Sequence, residues 1–209
     1  MIFEQIRTGG DRNFAYLLAD ETSKNAALVD PSNSPDLCVE RAKKLGLEVV
    51  YVINTHGHYD HANGNRSVCD RTGARVVANG AQADLRVGEG DSLSLGKIEL
   101  RFFHTPGHTK DCLCVLAEGK LMTGDTLLVG KVGGTDLGEE ARQEFESLHR
   151  LMNLPDETEV WPGHDYGTAP SSTIGRERRT NPFLLRTDFN EFVDLKRNWA
   201  EYKRKHGIA

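Results

Sequence analysis

A chain of 209 residues with 38% hydrophobic and 27% charged side chains has room for one sizeable domain, or one domain with an appendage. A formal net charge of −5 argues against broad nucleic-acid binding, which calls for a basic face, and no apolar stretch has the length of a bilayer span. The opening MIFEQIRTGGDR has no apolar h-region, so we expect no signal peptide and a cytoplasmic location. Cys38, Cys69, Cys112 and Cys114 lack C-x-x-C spacing and are expected to be packing thiols, not a disulfide frame or a thiolate metal site.

Residues 14–19 and 26–29 are predicted strands joined by the polar turn DETSKN. Residues 36–45 carry helical spacing, with Ser34 or Asp36 as cap and Gly46 as the stop. The β-branched and aromatic run 49–53 predicts a strand buried on both faces, leading into the stretch THGHYDHANGN. A helix is expected over 64–72, then strands at 75–78, 98–103, 112–117 and 120–122. A helix over 139–151, a short strand at 159–161 and one C-terminal amphipathic helix through Phe189, Phe192, Val193, Leu195 and Trp199 complete the pattern. Strands alternating with helices imply a layered α/β domain.

His56, His58, Asp60 and His61 fall within six residues. Without a cation such a set would repel or stay half-satisfied. Later strands end in further ligand types behind small turn residues: His104 and His108 in FFHTPGH, Asp125 in LMTGD, and His164 in WPGHD. Strand ends carry functional loops on a rigid scaffold, so these groups are placed to converge. His56, His58 and His108 suit one ion, and Asp60, His61 and His164 a second, with Asp125 bridging. A water held between two cations becomes a nucleophile near neutral pH. His149 and His206 are expected to be ordinary surface or core residues, His104 structural, and Asp30 the organiser of a turn before Pro31.

H-x-H-x-D-H after a buried strand, then TPGH, TGD and PGH, resembles the metallo-β-lactamase superfamily over residues 49–166. The resemblance implies an α/β fold in four layers, an αββα sandwich with metals at one rim. It also implies the same seven ligands: His56, His58, Asp60, His61, His108, Asp125 and His164. HDY at 164–166 resembles the GH-[DE]-Y of the glyoxalase II branch and of the persulfide dioxygenase branch. STIGRERRTNPF is similar to segments of bacterial members of both. Asp125 stands where true β-lactamases have a cysteine, which speaks against antibiotic hydrolysis. The chain departs from glyoxalase II in two places. Only 45 residues follow His164, and Gly134 falls where a Lys or Arg is usual, leaving Lys131 or Lys110 as substitutes.

These observations give two expectations. The first is a glyoxalase II-like thioesterase using two divalent ions, zinc foremost, with iron or manganese as alternatives. Asp60 orients its nucleophile, and Tyr166 and Lys131 bind a small thioester substrate, glutathione-based in the first instance. The second is a dioxygenase with one Fe(II) held by His56, His108 and Asp125, oxidising glutathione persulfide. A non-catalytic metal-binding module is a distant third, because no ligand is missing. One domain spans 1–209, with 183–209 as a helical extension. Lys196, Arg197, Lys203, Arg204 and Lys205 on that extension could close over the groove, and Arg176, Arg178 and Arg179 could meet carboxylates. No nucleic-acid or membrane partner is expected, and a homodimer is left open.

Overall fold

The apolar runs become strands of two six-stranded sheets in a computed structural model that describes residues 1–208. The first sheet follows chain order: β1 (Ile2–Gly9), β2 (Asn13–Ala19), β3 (Asn25–Val29), β4 (Glu48–Ile53), β5 (Arg75–Ala78) and β6 (Leu85–Arg86). Hairpin turns make β1, β2 and β3 antiparallel. Between β3 and β5 the connections carry α1 (Pro35–Lys44), α2 (Tyr59–Ala62) and α3 (Asn65–Thr72), and the pairing turns parallel, as crossovers require. The second sheet holds β7 (Ser92–Leu95), β8 (Ile98–His104), β9 (Leu113–Ala117), β10 (Lys120–Gly124), β13 (Glu159–Pro162) and β14 (Ser172–Thr173), in the order β14-β13-β10-β9-β8-β7. A ribbon of β11 (Leu127–Leu128) and β12 (Lys131–Val132), then α4 (Glu139–Leu151), separates β10 from its parallel partner β13.

Alternation sets the layers. On β2, Phe14, Tyr16 and Leu18 face the second sheet, meeting Leu100, Phe102, Leu113 and Val115 in a central core. Ala15, Leu17 and Ala19 point the other way, to α1 and α3 through Cys38, Ala42 and Val68. Cys114, Leu121 and Val160 back onto α4 and the C-terminal helices. On β8, Ile98, Leu100 and Phe102 are buried while Glu99 and Arg101 are exposed. Burying each such large side chain contributes roughly 1.5–3 kcal/mol, so a one-residue slip would forfeit several kcal/mol. The αββα expectation is met.

Several elements differ from expectation. The C-terminal helix is two, α6 (Phe189–Arg197) and α7 (Trp199–His206). Asn198 breaks it: its backbone leaves helical geometry and its side chain donates to the Asp194 carbonyl, while Trp199 turns onto Phe183. Neither β1 nor α5 (Ile174–Thr180) was anticipated; α5 is capped by Thr173, which accepts from the Arg176 amide. Ser34 occupies the N-cap of α1, but its hydroxyl donates to the Thr8 carbonyl instead of capping. On β4, Val50 and Tyr51 are only half-buried. The four cysteines are free, and burial pushes the Cys112 thiol up to about 12 and Cys114 to about 11, as packing thiols should behave. Among the described residues no helix is long and apolar enough to cross a membrane.

Candidate metal centre

All seven expected ligands gather beyond the C-terminal ends of β4, β8, β10 and β13, at one rim of the sandwich. His56 and His58 leave β4, and Asp60 and His61 lie on the single turn of α2. His108 sits in the loop between β8 and β9, Asp125 follows β10, and His164 follows β13. Small residues allow the approach. Gly124 has φ +49° and packs on Thr55, where a Cβ would lie 2.4 Å from the hydroxyl oxygen. A Cβ on Gly163 would lie 2.6 Å from Asp125 Oδ1 and 2.9 Å from His61 Cε1, inside the cluster.

Hydrogen bonds set the imidazole tautomers. His108 Nδ1 donates to the Gly134 carbonyl at 2.7 Å, and His164 Nδ1 to the Asp11 carbonyl at 2.8 Å. His61 Nδ1 donates to Asp30 Oδ2 at 2.9 Å. Thr55 Oγ1 gives its proton to Asp30 Oδ2 at 2.6 Å, so His56 Nδ1, 3.2 Å away, donates to that hydroxyl. Each of these histidines therefore turns its Nε2 lone pair inward, as metal-binding imidazoles do.

Those nitrogens form two groups. His58 Nδ1 lies 3.1 Å from His56 Nε2 and 3.0 Å from His108 Nε2. His61 Nε2 and His164 Nε2 lie 3.1 Å apart, with Asp60 Oδ2 at 3.7 and 3.6 Å. Asp125 stands between the groups: Oδ2 is 3.5 Å from His108 Nε2 and 3.3 Å from His164 Nε2, and Oδ1 is 3.5 Å from His61 Nε2. Asp125 Oδ1 is buried without a hydrogen-bond partner. An orphaned carboxylate oxygen among converging lone pairs is costly unless a cation sits there, so the donor set fits a metal. His56–His58–His108, His56–His61–Asp125 and Asp60–His61–His164 each bring one donor atom per residue within 4.8 Å.

The two groups differ electrostatically. Burial holds His56 well below, and His108 below, the usual histidine range, so both favour the neutral form. Burial also opposes charge on His61, but the hydrogen bond and charge of Asp30, with Asp125 and Asp60, outweigh it and raise the group to about 9. His164 is raised, its burial outweighed by Asp125. Burial works against the Asp125 carboxylate, yet the surrounding imidazoles hold it well below the ordinary range. Asp60 is lowered too, its burial overcome by a hydrogen bond from Asn13.

One group that the sequence reading took for a turn former, and two that it left out, position this set. Asp30, in the left-handed region at φ +48°, accepts from the Thr55 amide, the Thr55 hydroxyl and His61. It is more than a turn former, and it follows β3 with the same strand-then-acid syntax as Asp125. Asn13, buried at the start of β2, donates to the Asp60 carboxylate at 3.0 Å and to its carbonyl at 3.1 Å. The β1–β2 turn also supplies the Asp11 carbonyl to His164. Nothing in the spacing marks these last two, because they meet the site from the far end of the first hairpin. His104 is structural, donating from Nε2 to the Lys110 carbonyl, and His149 and His206 lie outside the cluster.

Beside the second group lies a cavity of about 440 Å³ lined by Lys131, Tyr166, Arg176, Trp199 and Lys203. The Tyr166 ring stacks on His164 at 4.6 Å with 3° between planes, and its hydroxyl donates to the Asp11 carboxylate. Arg12 and Lys131 stand 4.7 and 4.2 Å from that ring centroid. Burial, then the neighbouring Lys203 and Arg12, lower the Lys131 pKa. Of the other basic residues considered, Arg178 and Arg179 pair with Asp156, Arg197 pairs with Asp194, and Lys196 is buried against Glu144.

A profile of the metallo-beta-lactamase superfamily matches residues 8–85 and 81–164. The mitochondrial persulfide dioxygenase ETHE1 of Mus musculus is 36% identical over 196 residues, covering 88% of this chain and 76% of that protein. A hydroxyacylglutathione hydrolase of Anaeromyxobacter dehalogenans is 37% identical over 222 residues, covering 88% and 86%. The crystal structure of ETHE1 from Myxococcus xanthus superposes with a TM-score of 0.88 at 36% identity, over 95% of this chain and 91% of the other. These relatives are enzymes, and with its rim of histidines and aspartates at four strand ends this chain belongs to the metallo-beta-lactamase superfamily.

Proposed function

We propose that this chain oxidises the outer sulfur of a small thiol persulfide, glutathione persulfide in the first instance, with dioxygen. The observation that carries this reading is the end-to-end likeness to the Myxococcus xanthus ETHE1, which leaves little of either chain unmatched. The identity to the mouse persulfide dioxygenase supports it. In this reading His56, His108 and Asp125 hold one ferrous ion, the two-histidine, one-carboxylate arrangement. That ion supplies a seat for sulfur and the redox chemistry of dioxygen. Overall, one dioxygen and one water convert the outer sulfur to sulfite and release the carrier as free thiol; four electrons pass from sulfur to oxygen.

The chain's own residues do the rest. Gly134 and Thr55 hold the two imidazoles in the metal-binding tautomer. Lys131, Lys203 and Arg176 offer positive charge at the cavity to the carboxylates of a tripeptide carrier, taking the place of the basic residue absent at Gly134. Tyr166 lines that cavity and stacks on His164, so it stands between the cavity and the cluster. The chain acts as one domain, with the helices beyond Pro182 as its extension.

Thioester hydrolysis is the second reading. One observation favours it: two complete three-donor groups flank Asp125, as a pair of divalent ions needs. Asp60 would then orient the attacking water between the ions. Protein purified without air separates the two. Oxygen uptake with glutathione persulfide, matched by sulfite and about one iron per chain, is the expected result. Anaerobic thiol release from S-lactoylglutathione, with no oxygen uptake on the persulfide, would overturn it in favour of hydrolysis.

A further inference from the structure

We propose that Lys196, on α6, is a positioning residue for His108, acting through the glycine strap at 133–134. The inference rests on the reading of His108 as a metal ligand.

The Lys196 side chain is 6% exposed and the Glu144 side chain 1%, with Nζ 2.6 Å from Oε2. Neither Glu144 oxygen receives a well-aligned hydrogen bond, so the carboxyl packs against the ammonium without being satisfied by it. The ammonium spends a hydrogen bond elsewhere, donating to the Gly133 carbonyl at 2.8 Å. Buried pairs of this kind can often be replaced by apolar residues without loss of stability.

What the pair touches suggests its use. A Cβ on Gly133 would lie 2.3 Å from the Asp125 carbonyl oxygen and 3.0 Å from His108 Cβ, so the strap is pressed against both. The next residue, Gly134, gives its carbonyl to His108 Nδ1. The ribbon pairing of β12 ends at Val132, and Lys196 is the tie that reaches the strap beyond it. On the other side α4 grips the turn at 106–107 that leads into His108. Gly107 packs on the Glu144 backbone, where a Cβ would lie 2.5 Å from Cα, and Ser147 Oγ donates to the Pro106 carbonyl at 2.8 Å. The Lys196–Glu144 pair joins the two grips. The C-terminal helices thus reach the metal centre, setting which nitrogen His108 presents and where.

The test compares Lys196→Met with the double variant Glu144→Gln/Lys196→Met, which removes the carboxylate that the single change strands. The readouts are zinc affinity by chelator competition, the His108 ring-nitrogen chemical shifts in metal-free protein, and the thermal midpoint. Both variants should bind zinc about tenfold or more weakly and lose the fixed Nδ1–H tautomer of His108, even where the double variant regains the wild-type midpoint. Recovery of zinc affinity and tautomer in the double variant would overturn the proposal, leaving Lys196 as mere compensation for Glu144. His108→Ala serves as control. If it leaves zinc binding intact, the ligand assignment fails; if it abolishes binding while the Lys196 variants do not, only the positioning role fails.

Discussion

Nε2 of His61 and Nε2 of His164 face each other at 3.1 Å, and both are lone-pair nitrogens by the hydrogen bonds their Nδ1 atoms make to Asp30 and Asp11. Two acceptors at that distance are stable only with a cation between or upon them. A proton can serve, and the hydrogen bond and charge of Asp30, with Asp125 and Asp60, favour one on His61, raising it to about 9 despite its burial. A divalent metal would serve as well, since Asp60 Oδ2 and the orphaned Oδ1 of Asp125 lie 3.7 and 3.5 Å from His61 Nε2 and could help to hold it.

Asp30 is expected to matter as much as a ligand. Asp30→Ala would strand the Thr55 amide, the Thr55 hydroxyl and the His61 Nδ1–H in a buried site, at about 1–3 kcal/mol each. Metal affinity should fall by roughly 10–100-fold. Chelator competition checks this, and an affinity within twofold of wild type would show that His61 orients itself.

Asp125→Ala and His164→Ala should part company. Under the persulfide reading, Asp125→Ala drops iron well below one per chain, and His164→Ala leaves it near one. Metal analysis after anaerobic purification decides. Two ions in the wild type, with one lost from His164→Ala, would favour the hydrolytic reading; equal, small losses would remove Asp125 from its central position.

Lys131→Met should raise KM for glutathione persulfide by about tenfold or more and leave kcat within twofold, since a charge-assisted hydrogen bond is worth roughly 1.5–3 kcal/mol. Metal content should stay at the wild-type level. A drop in kcat at constant KM would move Lys131 from holding the carrier to the reacting sulfur.

Glu144 gives a pH signature. Burial raises its pKa to about 7, only partly offset by Lys196. The folded state therefore holds this proton more tightly than the unfolded chain. The stabilising contribution is complete below the ordinary glutamate range and is lost as pH rises towards 7. Glu144→Gln should flatten the fall in thermal midpoint between pH 5 and 7. An unchanged slope would mean that Lys196 keeps the carboxylate ionised throughout.

The local chemistry of this protein was legible in its sequence. The H-x-H-x-D-H stretch, TPGH, TGD and PGH lie within short segments whose strand-then-turn patterns are set by neighbours in the chain, so the seven residues that converge at the rim and most strands could be read directly. The break at Asn198 could not, because helical periodicity persists across it and the bend goes with Asn198's bond to the Asp194 carbonyl and the docking of Trp199 on Phe183. Nor could the roles of Asp30, Asn13, Asp11 and Lys196. Each acts on a partner 31, 47, 153 or 63 residues away in the chain, and each looks locally like a turn residue or a surface charge. Spacing encodes which side chains can bind a metal; only the packing of two sheets and their outer helices determines what holds those side chains still.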